Sequence, residues 1–249
     1  MSEIKVSENN GLICKFEPEY HRYLCEDIRL ASVTTVVKRY FPVFDTEGIS
    51  RRYALKHGLS QDHVKKMWKD KGIKSATHGT NCHAFAEAIC LKEKPYPKPK
   101  TTKEALHFKH IYNYIKKLAT KYQLVDVESI FFSLQLQLAG MLDLILLDKE
   151  NRRLILADWK TNEKIVKNNP YQTGINGFEH LSDCNLNHYH LQLNMYKGLL
   201  IFEEFYKDLG IKEENIIMVL LHVTDNGVVY YKVPDLTNEV KHIFQNQMG

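Results

Sequence analysis

The chain has 249 residues, of which 44% are hydrophobic, and its Lys and Arg residues outnumber its Asp and Glu residues by four. This length fits one large domain or two small ones, and the apolar fraction suffices for a substantial core, which excludes a disordered tail or a fibrous protein. The longest aliphatic stretch covers only residues 216–221, whereas a bilayer span needs roughly 20 residues, and the first ten residues carry no apolar signal segment. We therefore expect a soluble, cytoplasmic protein with no membrane partner.

The first half of the chain predicts short strands followed by helices. Strands are expected over residues 12–37, the last of them in SVTTVV, where Ser32, Thr34 or Thr35 would cap a following helix. Helices are then expected near residues 47–57 and 61–71, separated by Gly58 and ended by Gly72. Two further helices are expected, over residues 77–91 and 102–122.

The second half predicts mainly strands. Leucines alternate with Gln over residues 134–138, before a break at residues 139–140 and a second apolar run. A charged turn over residues 148–152 leads into RLILADWK, so these segments form a plausible three-strand antiparallel meander. A helix over residues 188–207, two strands joined by a turn at residues 225–227, and a short terminal helix complete the chain. This order predicts one α/β or α+β domain with a helical N-terminal region.

Positive charge is concentrated in two segments. Residues 51–74 carry eight Lys or Arg against two Asp, and residues 92–117 carry eight Lys against two acids. The remainder of the chain is therefore net acidic. Such a distribution suits a protein that holds a polyanion on one face and divalent cations in a separate acidic pocket. A solvated helix face explains the same charges.

Cysteines and clustered histidines indicate no metal motif of their own. The five cysteines form no CxxC pair and are an odd set: Cys14, Cys25, Cys82, Cys90 and Cys184. We expect reduced thiols, since a Cys14–Cys25 bridge across a hairpin is conceivable but disfavoured in a reducing compartment. His180, His188 and His190 lack cysteine partners at finger-like spacing and are expected on loop and helix surfaces.

The strongest chemical feature is a pair of acids on neighbouring strands. If the charged turn closes a hairpin, Asp143 and Asp158 become neighbours across the ladder. Two such carboxylates repel each other unless a divalent cation lies between them. Lys160 shares a strand face with Asp158, so its ammonium group could orient water or stabilise charge on a phosphate. A surface hairpin with an Asp–Lys pair is the ordinary alternative.

Two helical pairs extend this pattern. His83 and Glu87 are four residues apart, so both can point at one metal of the Mg²⁺ or Mn²⁺ type. Gln192 and Tyr196 repeat the spacing; Gln can hold a phosphate or a water, and Tyr can stack or donate a hydrogen bond. HxxxE is also common on solvated helices, and an amphipathic core helix would explain Tyr196 equally well.

In chain order, these residues give GxxxHxxxE over residues 79–87, Glu128, GMLD over residues 140–143, DWK over residues 158–160 and QxxxY over residues 192–196. The succession resembles the RecB-like exonuclease branch of the PD-(D/E)XK nuclease superfamily, over residues 75–200. ADWKTNEK is also similar to mitochondrial genome maintenance exonucleases and to phage and viral nucleases of this branch. No single motif is specific, but five in this order and at family-like spacing are.

The resemblance implies a metal site with one or two Mg²⁺ or Mn²⁺ ions. Asp143 and Asp158 would be ligands, the backbone carbonyl of Trp159 would complete the shell, and His83 would bind or border a second metal. Relatives with an iron–sulfur cluster carry three cysteines near the C-terminus. Because no cysteine follows Cys184 here, no cluster is expected.

The resemblance also implies the reaction. Lys160 would position the attacking water, and Glu87, Gln192 and Tyr196 would support the site or contact DNA. In-line attack on a phosphodiester would leave a 5′-phosphate and a 3′-hydroxyl.

The implied fold is α/β, with a restriction-endonuclease-like PD-(D/E)XK core in which a mixed central β-sheet is flanked by helices. We expect a single nuclease domain over residues 1–249. Its parts would be N-terminal strands and a basic helical region over residues 1–75, the nuclease core over residues 76–235, and a C-terminal helix over residues 236–249. The protein would lie in the host cytoplasm if a phage encodes it.

The expected partner is DNA, as single strands or duplex ends, in replication, repair or recombination. One basic helical segment mixes cations with aromatic rings, a combination that holds single strands by phosphate contact and base stacking. Its candidate DNA contacts are Arg51, Arg52, Tyr53, Lys65, Lys66, Trp68 and Lys69. An arch of these residues over the metal site would favour threading of a free end, as an exonuclease requires.

Three alternatives stay open from sequence. The first is a structure-selective or restriction-type endonuclease. The second is a non-catalytic nucleic-acid-binding module, although such a protein should lack one of Asp143, Asp158 and Lys160. The third is an assembly subunit of a recombination or replication complex. Polarity, DNA versus RNA preference, physiological metal and oligomeric state are not determined by sequence.

Overall fold

A computed structural model describes residues 4–248, so the predicted domain limits at residues 1 and 249 lie outside the described residues. The elements, in chain order, are β1 Lys5–Asn9, β2 Leu12–Glu17, β3 Arg22–Cys25, β4 Ile28–Ser32, α1 Val33–Lys38, α2 Thr46–His57, α3 Gln61–Leu91, α4 Thr102–Ala119, β5 Gln123–Ser133, β6 Leu138–Asp148, β7 Arg153–Lys160, α5 Asn185–Phe202, β8 Ile216–Thr224, β9 Gly227–Lys232 and α6 Thr237–Met248. The predicted mixed α/β class, with a mixed central sheet and flanking helices, is confirmed.

The central sheet forks at β6, where two strands, β4 and β7, pair with different parts of the same edge. The strand order is β1-β2-β3-β4-β6-β7-β8-β9, and β5 pairs with β6. β5 covers one edge of β6 along nearly its whole length. The other edge is shared, because β4 pairs in parallel with residues 138–139 while β7 pairs antiparallel from Leu144 onward. Residues 140–143 of β6 therefore lie where β4 and β7 separate. The predicted β5–β6–β7 meander is confirmed.

Helices cover both faces of the sheet. Alternate residues of β7 face opposite sides, as the twofold period of a strand requires. Leu154 and Leu156 pack in a core that includes α1, α5 and α6, whereas Ile155, Ala157 and Trp159 pack in a second core beneath α3 and α4. Asp158 and Lys160 consequently share a face with Leu156 and point towards α5.

Helix α3 is longer than the sequence predicts. The chain runs as one 31-residue helix from Gln61 to Leu91, across the predicted boundary between residues 75 and 76. The expected end at Gly72 is therefore wrong. A single exposed glycine within a helix costs about 1 kcal/mol relative to alanine, which is too little to break a helix that packs against α2 and α4.

Two shorter segments also differ from the prediction. SVTTVV is not a strand: residues from Val33 onward form α1, and the Ser32 hydroxyl caps it by accepting from the Thr35 N–H at 3.1 Å. The β-branched residues enter a helix because Val33, Val36 and Val37 are buried on one helical face. Strand β1 was missed, since its side chains are only half-buried or exposed.

The alternating leucines do not continue a strand either. Residues 134–137 form a turn, in which the Ser133 hydroxyl accepts from the Leu136 N–H at 3.1 Å and Gln137 has a φ of 49°. The break thus precedes Leu138 rather than following it. Leu136 is fully buried, so the alternation marks a buried turn.

The C-terminal prediction is close to the structure. α5 begins earlier and ends earlier than expected, and β8, β9 and the terminal helix α6 form as predicted. Among the helices of residues 4–248, none combines the length and the apolar character that crossing a membrane would require.

Candidate functional site

A cleft of about 180 Å³ opens at the fork between β4 and β7. Its walls come from both layers of the protein, because His83 enters from α3 while Gln192 and Tyr196 enter from α5. Asp143, Asp158 and Lys160 line the same cleft. Six of the seven side chains predicted for the catalytic and metal site are therefore brought together.

Three carboxylates form a row across three strands. The pairs on either side of Glu128 place it opposite Asp143, and the β6–β7 register places Asp143 opposite Asp158 one step beyond the last paired residues. Glu128 has a φ of 49°, an uncommon backbone conformation for a non-glycine residue. Burial, and then the charge of Asp143, raises the pKa of Glu128 to about 7. The sequence had placed Glu128 in the motif order without a role.

Asp143 is held from two sides. Its Oδ1 lies 3.1 Å from Nδ1 of His83, and its Oδ2 accepts from the backbone N–H of Trp159 at 2.6 Å. Burial works against ionisation, but His83, Lys160 and the Trp159 N–H together lower the pKa of Asp143. Burial would likewise lower the pKa of His83, yet the Asp143 carboxylate outweighs it and raises that pKa to about 9. Without a cation, the His83 imidazolium therefore pairs with the Asp143 carboxylate, and His83 could act as a metal ligand only after losing this proton.

Asp158 and Lys160 form a buried ion pair. The Lys160 Nζ lies 2.5 Å from Oδ2 of Asp158, and the Asp158 side chain is only 4% exposed. Burial, opposed by Lys160 and reinforced by Asp143, raises the pKa of Asp158 to about 6. The pKa of Lys160 is raised despite burial, because Asp158 and Asp143 both favour its charged form. The ammonium is thus held in the cleft as a fixed positive charge.

Residues of α5 keep Lys160 in place. The Gln192 amide accepts from Lys160 at 3.4 Å through Oε1 and donates from Nε2 to the Tyr196 hydroxyl at 2.8 Å. The same Nε2 lies 3.5 Å from Oδ1 of Asp158. Lys160 also lies over the ring of Tyr189, 4.5 Å from its centroid. Gln192 therefore connects Tyr196 to both Asp158 and Lys160 through hydrogen bonds.

Glu87 is not among the residues that line the cleft. Lys5 of β1 bridges it to the carboxylate row, at 2.6 Å from Glu87 and 3.4 Å from Glu128. The Trp159 side chain packs in the core on the opposite face of the sheet. Any part that Trp159 plays in the cleft is thus limited to its backbone. No local pattern marks Lys5 as part of the site, because its partners are 82 and 123 residues away.

The donor set fits a divalent cation. Ligand atoms of His83, Glu128 and Asp143 lie within 4.8 Å of one another. Oδ2 of Asp158 is buried against the Lys160 ammonium, and no further donor to this oxygen is found within residues 4–248. Carboxylate oxygens with one imidazole suit Mg²⁺ or Mn²⁺.

The basic segment predicted to bind DNA forms a helical hairpin of α2 and α3. Lys65 is paired with Glu47 at 2.6 Å, and the rings of Tyr53 and Trp68 pack against each other at 5.9 Å. The remaining predicted cations are exposed: Arg51, Arg52, Lys66 and Lys69. Lys71 pairs with Glu163 at 2.8 Å and so connects this hairpin to the segment after β7.

A second basic surface was missed by sequence reasoning. A groove of about 310 Å³ adjoins the cleft, with which it shares His21, Tyr23 and Ser32. Three arginines line it: Arg22, Arg29 and Arg39. We call this surface the arginine groove. Arg22 is paired with Glu17, whereas Arg29 and Arg39 have no ion-pair partner within residues 4–248. The three residues come from separate elements, so no local run of charge marks them.

The cysteines are free thiols in the structure. Cys14 and Cys25 are buried and face each other across the β2–β3 ladder.

The three histidines predicted to lie on loop and helix surfaces differ in their burial and contacts. His180 and His188 pair with Glu239 and Asp183, each at 2.8 Å. His190 is buried, contrary to the prediction, because it lies on the inner side of α5.

No protein-family model matches this chain, and no curated protein matches it. Among solved structures, the chain is similar to one described as "Crystal structure of SSO0001". The two are 12% identical, the TM-score is 0.33, and the match covers 88% of this chain and 74% of that chain. A TM-score of this size carries no statement about fold or function, so any function must be argued from the residues of the cleft.

Proposed function

We propose that this chain is a metal-dependent deoxyribonuclease with a PD-(D/E)XK-type core, acting as an exonuclease on single-stranded or unwound DNA ends. The observation that carries the proposal is the meeting of Asp143, Asp158 and Lys160 in one cleft, at the fork of the sheet. Two acids and a lysine on adjoining strands meet the needs of phosphodiester hydrolysis. Those needs are a cation site and a fixed positive charge beside the scissile phosphate.

Asp143 and Asp158 would hold the cation, with His83 and Glu128 beside them. The backbone carbonyl of Trp159 is a further proposed ligand. A bound Mg²⁺ or Mn²⁺ would supply neutralisation of phosphate charge and activation of water. The raised pKa of Lys160 keeps its ammonium charged, so it can orient the attacking water and stabilise charge that develops on the phosphate.

The residues of α5 act through Lys160. Gln192 contacts Lys160, Asp158 and Tyr196, and so restricts where the ammonium can lie. In the proposed reaction, a water oxygen attacks phosphorus in line, and the bond from phosphorus to O3′ breaks. The departing O3′ takes a proton, which leaves a 3′-hydroxyl on one product and a 5′-phosphate on the other.

Two surfaces support DNA as the partner. The arginine groove continues directly from the cleft, so a strand lying in the groove would bring a phosphate to Asp143 and Lys160. The exposed cations of the α2–α3 hairpin offer a second phosphate-binding surface. We propose that this hairpin, which the exposed Lys71–Glu163 ion pair connects to the segment after β7, is the arch that would admit free ends.

The test is cleavage of end-labelled linear single-stranded DNA and a covalently closed single-stranded circle, with Mg²⁺ or Mn²⁺. Matched reactions use Asp143→Ala, Asp158→Ala and, as a control, Asp208→Ala at an exposed position. Circular dichroism checks that each variant is folded. We expect degradation of the linear strand alone, lost in the two cleft variants and kept in the control.

Each other outcome has a definite meaning. Cleavage of the circle makes the protein an endonuclease. Activity that persists in both cleft variants rules out this site. Binding without cleavage, by the wild type with either metal, makes the chain a nucleic-acid-binding module.

A further inference from the structure

A second group of metal-binding side chains lies between α3 and α4, outside the cleft. Nε2 of His78 is 3.7 Å from Sγ of Cys82, one helical turn later on α3, and 3.0 Å from Nδ1 of His107 on α4. All three ligand atoms lie within 4.8 Å of one another. Cys82 and His107 are each 1% exposed, and His78 is half-buried.

These separations match the edges of a zinc tetrahedron. Zn²⁺ binds imidazole nitrogen at about 2.0 Å and thiolate sulfur at about 2.3 Å, which puts two nitrogens about 3.3 Å apart and a nitrogen and a sulfur about 3.5 Å apart. The observed 3.0 Å and 3.7 Å are close to these values. Three protein ligands leave one position for a solvent molecule, which can enter on the half-exposed side of His78.

An independent feature orients His107 as a ligand. Its Nε2 lies 3.0 Å from Oδ1 of Asp225, in the turn between β8 and β9. A carboxylate that accepts from one ring nitrogen fixes the tautomer in which the other nitrogen carries a free lone pair, and metal-binding histidines usually have such a partner. The hydrogen-bond network thus assigns the free lone pair to Nδ1, the atom that faces His78. Burial lowers the pKa of both His78 and His107, which favours the neutral imidazole that binds a metal.

We infer that His78, Cys82 and His107 bind one Zn²⁺ ion in a site separate from the cleft. The imidazoles bind through nitrogen lone pairs, and Cys82 binds as a thiolate. Zinc binds cysteine as the thiolate, so the Cys82 thiol loses its proton on binding. One proton is therefore released to solvent for each Zn²⁺ bound at neutral pH.

The ion would join three parts of the fold. It would tie α3 to α4 directly, and through Asp225 to the β8–β9 turn. Cys82 immediately precedes His83, which contacts Asp143. Zinc would therefore hold the part of α3 that enters the cleft. This role is structural and does not depend on the proposed nuclease activity.

The test uses the full chain, freed of metal by a chelator, loaded with Zn²⁺ and desalted, with bound zinc measured by mass spectrometry. We expect one Zn²⁺ per wild-type chain and a large loss in Cys82→Ser and in His78→Asn. His78→Asn removes a ligand without disturbing the core, because His78 is half-exposed. Cys90→Ser, on the same helix and eight residues later, is the matched control and should keep its zinc.

Two further measurements identify the ligands. Co²⁺ in place of Zn²⁺ should give a thiolate-to-cobalt charge-transfer band in the wild type and in Asp143→Asn, but none in Cys82→Ser. Calorimetry in two buffers of different ionisation enthalpy should find one proton released by the wild type and about none by Cys82→Ser. Zinc retained equally by Cys82→Ser and His78→Asn, zinc lost only in Asp143→Asn, or a wild type without zinc would each overturn the inference.

Discussion

The backbone N–H of Trp159 donates to Oδ2 of Asp143 across the β6–β7 ladder, at 2.6 Å. The bond lies one step beyond the last paired residues, Leu144 and Ala157. Its acceptor is therefore the Asp143 side chain and not a backbone carbonyl of β6. It turns the carboxylate so that Oδ1 faces His83. β7, the strand that carries Asp158, therefore fixes the orientation of the Asp143 carboxylate.

Lys160→Ala should impair turnover more than DNA binding. If the proposed function holds, loss of this fixed charge should lower kcat by roughly 10²–10³-fold, while the Kd for single-stranded DNA stays within about threefold, since most of the proposed phosphate contacts lie elsewhere. Single-turnover kinetics and binding by fluorescence anisotropy measure the two effects. Lys164→Ala, exposed after the same strand, is the control. Equal losses in kcat and in affinity would contradict the assigned role.

The same change should also reveal the cation site. Without Lys160, Asp158 remains buried beside Asp143 with no countercharge, which should cost about 3–5 kcal/mol of stability. Mg²⁺ should restore part of this lost stability in Lys160→Ala. The gain in free energy of unfolding should be smaller in Lys160→Ala/Asp143→Asn, which has one acid fewer. Urea unfolding in EDTA and in Mg²⁺ measures this gain for each variant. No metal-dependent difference between these variants would argue against a cation at the acids.

The arginine groove should bind DNA more strongly than the α2–α3 hairpin does. Arg29→Ala/Arg39→Ala should weaken single-stranded DNA binding about tenfold and reduce the salt slope by roughly 0.7 for each lost phosphate contact. Lys66→Ala/Lys69→Ala on α3 is the matched pair. Binding measured from low to high salt decides between them. A larger loss in the lysine pair would favour the hairpin that the sequence indicated.

Gly140→Ala should destabilise the protein by about 1–3 kcal/mol. A Cβ at this position would overlap the ring of Tyr196 and lie 3.1 Å from a methyl group of Val33. Displacement of Tyr196 would also disturb Gln192, so activity should fall as well. Gly72→Ala, within α3 and with open space around its Cβ, should instead stabilise by about 0.5–1 kcal/mol. Urea unfolding of the two variants should therefore move in opposite directions.

Stability should fall in mild acid because of His190. Burial lowers the pKa of His190 to about 4 in the folded state, against about 6.5 in an unfolded chain. Between these two pKa values the unfolded chain binds more protons than the folded protein. The contribution of His190 to the free energy of unfolding is therefore complete above about pH 6.5, and it falls by up to about 3 kcal/mol towards pH 4. His190→Leu should flatten this part of the curve, whereas His63→Leu, at an exposed site, should not. Parallel curves for wild type and His190→Leu would refute the assignment.

Local pattern was enough to predict much of the site. The charged turn fixes the β6–β7 register, so Asp143 and Asp158 could be placed opposite each other from sequence. The spacing of Gln192 and Tyr196 placed both on one helical face, and their hydrogen bond follows from that spacing. These predictions rest on contacts within single elements or hairpins.

Contacts between distant elements could not be predicted in this way. Lys5 reaches Glu87 and Glu128 across the fold, and the arginine groove collects residues from separate elements. The fork depends on a two-residue parallel contact between β4 and β6, for which no sequence pattern exists. Two local predictions failed for the opposite reason, because packing outweighed local propensity. Gly72 does not end a helix, and residues 33–37 form a helix and not a strand.

The residues around the fork come from widely separated parts of the chain, from Lys5 in β1 to Tyr196 in α5. Synthesis runs from the N-terminus, so β6 and β7 are made before α5, and a growing chain has Asp143 and Asp158 before it has Gln192 to restrain Lys160. Any product that stops before residue 192 lacks that restraint permanently. We therefore expect Lys160 to be held in place, and any reactivity of the cleft to appear, only after α5 has been synthesised and has packed on the sheet.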